Sequence, residues 1–307
     1  MPLATAPPAD RTDLIRRLEL AHELARRASN KSLAGFLDHV VIDARPSPRP
    51  FRLIREPWQQ WITTALAPAF EQACGLRYDF AGPRSFFITL PKGHDKTSLV
   101  ARCVLWAVGF GRQQVKAVVA AADKGQANNV LERAQAEARL NPWLAERLKF
   151  IHYECSGPSG HLEVLSSDAP TSSGLLPDIV VVDELGVWPE RGKALWDVLY
   201  AARVKRPDCV FVVITNAGVR ETYQHQILTE AKADPAHWFV FEAPGKLASW
   251  LSDDEIAAAR RLLSPGWARR MYDNVWVDAN EAGSYLAPEQ LAASNPTYPT
   301  TPGHELR

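Results

Sequence analysis

The sequence shows no excess of either charge, no long hydrophobic run and no paired cysteines. Its 307 residues include 35 lysines and arginines against 35 aspartates and glutamates. Net charge therefore gives no reason to expect nucleic-acid binding, although a local basic face is not excluded. No apolar run reaches the roughly 18 residues that cross a bilayer, and the N-terminus lacks the apolar core of a signal peptide. The four cysteines form no CxxC pair, which is typical of reduced thiols in a cytosolic protein.

Short apolar runs alternate with helical patterns through most of the chain. The runs are rich in β-branched residues and predict strands over residues 85–90, 115–121, 179–182, 210–214 and 238–242. Because these runs are apolar on both faces, we expect a mostly parallel sheet that is buried on both sides. An α/β protein with helices on both faces of the sheet is further indicated by helical patterns over residues 96–109, 125–140, 193–203, 220–233, 253–263 and 265–277.

The two ends of the chain differ from this central pattern. Residues 11–28 have the periodicity of an amphipathic helix, whereas residues 44–57 contain four prolines and are typical of an extended linker. A short helix is predicted from Trp58 to about Gln72. We therefore expect three parts, which are an N-terminal helical extension and linker (1–50), a main domain (51–280) and a C-terminal linker or tail (281–307).

The first predicted central strand leads into a loop that has the pattern of a phosphate-binding site. Between a strand and a helix, backbone N–H groups of such a loop point at phosphate oxygens. Lys96 is then expected to bind the β- and γ-phosphates, and Thr97 to give its hydroxyl to Mg²⁺. The candidate ligand-binding residues of this loop are Pro91, Lys92, Gly93, His94, Asp95, Lys96, Thr97 and Ser98.

Two positions of the loop depart from the usual GxxxxGK[ST] pattern. Leu90 and Asp95 stand where that pattern has glycine. Asp95 brings a negative charge close to the expected polyphosphate, and repulsion there is expected to lower affinity. It also occupies a position that needs a positive φ, which aspartate tolerates better than most residues. For this loop taken alone, a strand–turn–helix without a ligand is the alternative.

A second hydrophobic strand ends in two adjacent acids, Asp183 and Glu184. Ligands of α/β sheets bind beyond the carboxyl ends of the strands. There Asp183 can hold Mg²⁺, and Glu184 can orient and deprotonate an attacking water. A strand that ends in a solvated acidic turn is the alternative. Together with the loop at Lys96, the acids predict an ATPase whose lysine and two carboxylates converge on one hollow at the rim of the sheet.

Four segments, in their order and spacing, resemble the ATPase domain of tailed-phage terminase large subunits, the motors that package DNA into procapsids. They are Glu56-Pro57-Trp58-Gln59, the loop from Pro91 to Thr97, the strand end at Asp183-Glu184, and Ile214-Thr215-Asn216-Ala217-Gly218. The family often drops the first glycine of the loop and has an early basic residue, which Lys92 matches. Residues 272–277 further resemble the segment that closes the domain. The resemblance covers roughly residues 50–280 and implies a P-loop NTPase fold of the ASCE, RecA-like type.

The resemblance also implies roles for individual residues. Gln59 is the expected reader of the adenine base, and Thr215 with Asn216 forms a coupling turn that senses the γ-phosphate. The implied catalytic residues are Glu184, Lys96, Lys92, Thr215 and Asn216. The implied metal ligands are Thr97 and Asp183, and the cofactors are ATP and Mg²⁺.

The function that the resemblance implies is Mg²⁺-dependent ATP hydrolysis that moves double-stranded DNA into a procapsid, in the host cytoplasm and away from membranes. A portal protein and a small terminase subunit are the expected partners. A homo-oligomeric ring is expected on assembly, and a monomer in isolation. The metal-dependent nuclease domain of the family is not expected here, because only 25 residues follow Ala282.

One alternative function remains open at this stage, and a second is disfavoured by the length of the chain. Asp95 and the missing nuclease domain favour an assembly module that binds portal, small subunit or DNA but barely hydrolyses nucleotide. A helicase-like ATPase would need a second RecA-like domain, for which the length leaves no room. Trp188 either packs against the acidic loop or contacts DNA. An arginine that stabilises the γ-phosphate comes from a neighbouring subunit or from Arg84, Arg112, Arg191, Arg203 or Arg206.

Overall fold

The apolar runs of the sequence form the strands of one large sheet, and the helical patterns form the layers on its two faces. The computed structural model describes residues 11–166 and 176–283. In these residues the helices are α1 Arg11–Ser29, α2 Leu33–His39, α3 Pro57–Ala73, α4 Lys96–Phe110, α5 Lys124–Leu140, α6 Pro142–Ala145, α7 Lys193–Val204, α8 Tyr223–Ala233, α9 Asp253–Arg260, α10 Pro265–Ala268 and α11 Ala279–Gly283. The strands are β1 Val41–Ile42, β2 Arg49–Pro50, β3 Ser85–Thr89, β4 Val115–Ala121, β5 Lys149–Ile151, β6 Glu154–Gly157, β7 Gly160–Ser166, β8 Ile179–Asp183, β9 Val210–Thr215 and β10 Trp238–Glu242.

The large sheet is mostly parallel, as the sequence predicts. Its strand order is β10-β3-β9-β8-β4-β7-β6-β5. The pairs from β10 to β7 are all parallel, whereas β6 pairs antiparallel with both β7 and β5. The carboxyl ends of seven strands, all but β6, therefore lie at one edge of this sheet. Strand β9 lies between β3 and β8, so its end separates the end of the loop strand from the end of the acidic strand.

Alternate residues of the central strands enter two different cores. On one face, Phe86 and Ile88 of β3 pack with helices α2 to α6. On the other face, Phe87 of β3 and Val182 of β8 pack with α7 and α8. This two-sided burial explains why the strands read as continuous apolar runs. The prediction of helices on both faces is confirmed.

The prediction of an extended linker over residues 44–57 is wrong. Strands β1 and β2 pair antiparallel in this region, and Phe51 follows them in a short 3₁₀ turn with its side chain buried in the core. Prolines suit both structures, because one lies in the edge strand β2 and Pro57 occupies the first turn of α3, where a missing N–H costs nothing. The division of the chain at residues 50 and 280 stays a prediction.

The C-terminal part differs from the sequence pattern in one place. The helix predicted over residues 265–277 ends at Ala268 and continues as a π-helical turn, Arg269–Asp273. Asn274 then adopts a left-handed backbone conformation with φ 55°, which ends the helical path. Over residues 11–166 and 176–283, none of the helices combines the length and the hydrophobicity needed to span a lipid bilayer.

Candidate nucleotide-binding site

Three strand ends meet at the lysine of the predicted phosphate loop. Lys96, the first residue of α4, donates from Nζ to Asn216 Oδ1 at 2.9 Å. The same Nζ lies 2.9 Å from Glu184 Oε1. Lys96 follows β3, Asn216 follows β9 and Glu184 follows β8. The structure thus brings together the ammonium and the carboxylate that the sequence expects at one rim of the sheet.

The hydroxyl of Thr97 meets the second predicted acid. Thr97 Oγ1 lies 3.3 Å from both carboxylate oxygens of Asp183. Burial, and then the nearby charge of Glu184, raise the pKa of Asp183 to about 7. Thr97 and Asp183 present hard oxygen donors of the kind that Mg²⁺ prefers. Within the described parts of the chain no group of three or more His, Cys, Asp or Glu side chains is arranged to hold a metal.

The acidic loop has a strained start that aims Glu184 toward the lysine. Glu184 adopts a left-handed backbone conformation with φ 53°, which is uncommon for a non-glycine residue. Its backbone N–H donates to Ile214 O at 2.7 Å and fixes the turn against β9. Trp188 is buried, and its Nε1 donates to Asp183 O at 2.9 Å. Of the two alternatives for Trp188, the structure shows packing against the acidic loop.

The coupling turn predicted at Thr215 and Asn216 divides its contacts between the two loops. The Thr215 hydroxyl accepts from the backbone N–H of Gly186 at 2.8 Å, so it supports the acidic loop from behind. Asn216 donates from Nδ2 to Leu90 O at 2.9 Å while its Oδ1 holds Lys96. Asn216 is buried and bonded to both Lys96 and Leu90, and Thr215 supports the acidic loop, so the sensing role of this turn stays a prediction.

The predicted phosphate loop is held by hydrogen bonds to residues 247–250. His94 is buried, and its Nε2 accepts hydrogen bonds from the backbone N–H groups of Leu247 and Ala248 at 2.9 and 3.2 Å. Burial lowers the pKa of His94, which favours the neutral ring that these bonds need. Trp250 donates from Nε1 to Gly93 O at 3.0 Å. The His94 side chain therefore anchors the loop.

Lys92 and Gln59 line the same cavity as Lys96. Each of the two side chains also contacts another residue of the chain. The cavity measures about 1000 Å³. The ammonium of Lys92 lies 5.3 Å from the centroid of the Trp267 ring. Gln59 Oε1 accepts from the backbone N–H of Glu56 at 3.0 Å in a capping box that starts α3. The Gln59 amino group remains for a base, and its role as a reader of adenine stays a prediction.

Asp95 adopts the backbone that the loop requires, but its charge faces a partner that the sequence analysis missed. Its φ is 53°, within the left-handed region that glycine usually fills. The Asp95 carboxylate lies 2.8 Å from Nη2 of Arg102, whose side chain is buried. Glu137 of α5 binds the same guanidinium through both Nε and Nη2. The one sign of Arg102 in the sequence is that it is a charged residue within the apolar pattern of α4. No feature of the nearby sequence pairs Arg102 with Glu137.

Asn274 is another residue that the sequence analysis did not single out, although it lies in the segment predicted to close the domain. Its buried amide donates to Thr89 O at 3.2 Å and to Ala243 O at 2.9 Å, and it accepts from the backbone N–H of Ala217 at 3.1 Å. One side chain thus joins the ends of β3, β10 and β9. Beside it, a Cβ on Gly218 would meet the Trp276 ring at 2.6 Å, so the coupling turn approaches this segment as only glycine allows.

The candidate arginines lie in different places. Arg84, Arg112 and Arg206 precede strands β3, β4 and β9 and so lie at the amino edge of the sheet, opposite the cavity. Arg206 there lies 3.3 Å from Asp178, and Arg84 lies 3.5 Å from Asp208. Arg203 lies on α7, and Arg191 follows the acidic loop at the carboxyl edge. A γ-phosphate arginine from a neighbouring subunit or from one of these five positions stays a prediction.

Comparisons with known proteins agree with this fold. The terminase large subunit ATPase domain family matches residues 57–233. The fold is similar to the large terminase of bacteriophage HK97, with 17% sequence identity and a TM-score of 0.64 over 80% of this chain and 55% of that chain. It is also similar to the large terminase of a thermophilic bacteriophage solved with ADP, with 12% identity and a TM-score of 0.51 over 64% of this chain and 49% of that chain. These likenesses confirm the predicted α/β P-loop NTPase fold.

The chain spans about half the length of these solved large terminases. No curated protein sequence matches it.

Proposed function

Because the chain belongs to the family of terminase large subunit ATPase domains, we propose that it hydrolyses ATP with Mg²⁺ and that this reaction drives double-stranded DNA into a phage procapsid. The convergence of Lys96, Glu184 and Asn216 at 2.9 Å distances supports the hydrolytic part most directly. A lysine, a catalytic acid and a polar sensor at the rim of one sheet are the parts that phosphoryl transfer to water requires.

In the proposed reaction, Lys96 and the loop N–H groups hold the β- and γ-phosphates. Because Lys96 Nζ pairs with Glu184 Oε1 in this structure, binding of a triphosphate exchanges that carboxylate for phosphate oxygens. Glu184 is then free to accept a proton from water. Its side chain is partly exposed, so water reaches it.

The bond changes follow from this placement. The water oxygen bonds to the γ-phosphorus, and the bond from that phosphorus to the β–γ bridging oxygen breaks with its electrons left on ADP. Thr97 and Asp183 would hold the metal. When bound, Mg²⁺ supplies positive charge that offsets the negative charge developing on the phosphates. Lys96 adds a second cation from the loop side.

The contacts of Asn216 indicate how hydrolysis at the site could change the structure of the neighbouring loops. Asn216 binds Lys96 on one side and Leu90 O on the other, while the adjacent Thr215 binds Gly186. Loss of the γ-phosphate changes the partner of Lys96, and the turn after β9 is bonded to both loops that flank it. We assign Thr215 and Asn216 to this coupling, with Lys92 as a second loop cation and Gln59 at the base.

The partners follow from the same proposal. We propose double-stranded DNA, a portal protein and a small terminase subunit as partners, a ring of copies on assembly, and the host cytoplasm as the place of work. The ATPase domain is proposed to span residues 51–280. An assembly module with little turnover is the alternative, and the pairing of Asp95 with Arg102 weakens one of its two motives.

Steady-state ATP hydrolysis by the purified chain tests the proposal, with Mg²⁺ or with EDTA, and with or without double-stranded DNA. Lys96→Ala is expected to lose both hydrolysis and nucleotide binding. Lys205→Ala, which changes an exposed lysine at the far end of α7, is the matched control and is expected to behave like the parent. Hydrolysis by Lys96→Ala at the parent rate would reject the proposed site.

A further inference from the structure

The side chain of Asp95, the residue before Lys96, points along helix α4. Asp95 is the N-cap of α4, yet its side chain makes no capping hydrogen bond to that helix. Instead Oδ2 accepts from Arg102 Nη2 at 2.8 Å. Arg102 lies two turns further along α4, and helical side chains lean toward the N-terminus, so its guanidinium reaches back to Asp95.

The guanidinium of Arg102 is fixed on several sides. Its side chain is only 2% exposed. Nε donates to the two carboxylate oxygens of Glu137 at 2.8 and 3.0 Å. The Cζ atom lies 4.7 Å from the centroid of the Phe51 ring, which covers one face of the guanidinium. A buried, stacked and doubly paired arginine holds its position far better than a surface side chain.

The charges of the cluster formed by Asp95, Arg102 and Glu137 explain why an acid is tolerated at position 95. Two carboxylates share one cation, so the cluster carries at most one net negative charge. Burial raises the pKa of Glu137, and the attraction of Arg102 opposes this effect, so burial itself works against a second negative charge in the cluster. Without Arg102, Asp95 would stand uncompensated at the helix end where phosphates bind.

We propose that Arg102 is a positioning residue that makes this loop compatible with a polyphosphate, because it holds the Asp95 carboxylate along α4 and neutralises it. The inference rests on the proposed nucleotide binding by the same loop. It implies a specific dependence, namely that Arg102 is needed for nucleotide affinity only while residue 95 is an acid. A residue that merely stabilised the fold would be needed whatever stood at position 95.

Calorimetric titration with ATP-γ-S and Mg²⁺ tests this dependence. All variants are made in a Glu137→Gln background, because removal of Arg102 would otherwise leave a buried unpaired carboxylate at Glu137. Against that background, Arg102→Met is expected to weaken binding by about tenfold or more, since a freed Asp95 charge repels the phosphates. Adding Asp95→Gly, which suits the positive φ, is expected to restore affinity to within about threefold.

Each outcome decides between explanations. Equal affinity with and without Arg102 overturns the inference, and so does a loss that Asp95→Gly fails to restore. If Arg102→Met does not give a cooperatively folded protein, Arg102→Gln in the same background replaces it, with the same expectation and a hydrogen-bonding group kept. Absence of binding by the parent chain overturns the proposed function itself, whereas binding by the parent with no effect of Arg102 overturns only this inference.

Discussion

The side-chain amide of Asn274 donates a hydrogen bond to the backbone oxygen of Thr89 at 3.2 Å, which ties the segment after α10 to the end of the phosphate-loop strand. Through its other bonds the same amide reaches the residues that follow β9 and β10. The nearby backbone N–H of Lys92 donates to Met271 O at 2.7 Å. The closing segment and the phosphate loop therefore form one hydrogen-bonded unit.

Replacement of Asn274 is expected to lower ATP turnover more than nucleotide affinity. Asn274→Gly keeps the left-handed backbone but deletes the amide, and the lost buried hydrogen bonds are expected to cost about 2–4 kcal/mol of unfolding free energy. Asn274→Asp keeps the shape but turns a carboxylate toward the oxygens of Thr89 and Ala243. We expect Asn274→Asp to be at least as damaging. Denaturant unfolding and kcat against KM are the measurements, and unchanged kcat in both variants would contradict the assigned position.

Glu184→Gln is expected to abolish most hydrolysis while nucleotide binding survives. The amide cannot take a proton from water, so the turnover rate should fall by about 100-fold or more. Because the substitution also removes the negative partner of Lys96, affinity for ATP-γ-S should stay equal or become tighter. Glu190→Gln, an exposed acid in the same loop, is the matched control. Parent-like turnover in Glu184→Gln would remove Glu184 from the catalytic role.

Thr97 is expected to determine how much Mg²⁺ the reaction needs. Thr97→Ser keeps the hydroxyl that faces Asp183 and should retain turnover within about threefold. Thr97→Ala removes the hydroxyl, and half-maximal activity should then require about tenfold more Mg²⁺. Titration of hydrolysis with Mg²⁺ at saturating ATP distinguishes the two. Identical Mg²⁺ curves for the two variants would show that the hydroxyl is not a ligand.

Acid is expected to destabilise the protein through His94. Its folded-state pKa is lowered by burial, so below the unfolded value of about 6.5 the unfolded chain binds a proton that the folded chain resists. Stability should therefore fall as the pH falls through and below that value, and rise to a plateau above it.

A non-titrating replacement isolates the His94 contribution. In His94→Gln the side-chain oxygen can accept from the N–H groups of Leu247 and Ala248 without binding a proton. Its melting temperature should fall less than that of the parent between about pH 7 and pH 5. His161→Gln, at an exposed position, should keep the parental slope. Equal slopes for the parent and His94→Gln would refute the assignment.

The site residues that the sequence predicts are those whose positions follow from the order of neighbouring strands, loops and helices along the chain. Lys96 and Thr97 are found because strand, loop and helix are consecutive, and Asp183 because parallel strands end at one edge. The Arg102–Glu137 pair joins two helices 35 residues apart, and the pattern of neither helix identifies the other. Phe51 was missed for a similar reason, because prolines around it indicate an extended chain while its burial depends on packing. The position of β9 between β3 and β8 likewise depends on tertiary packing.

Helix α4 is surrounded, since every one of its residues except Thr97 is buried. A rod packed on all sides cannot shift or turn without opening the core around it, which is close-packed and resists such changes. Helix α4 therefore forms a fixed support for the segments around it. If ATP hydrolysis moves DNA as proposed, we expect the displacement in the rim segments around α4, which are residues 184–192, 215–222 and 269–277.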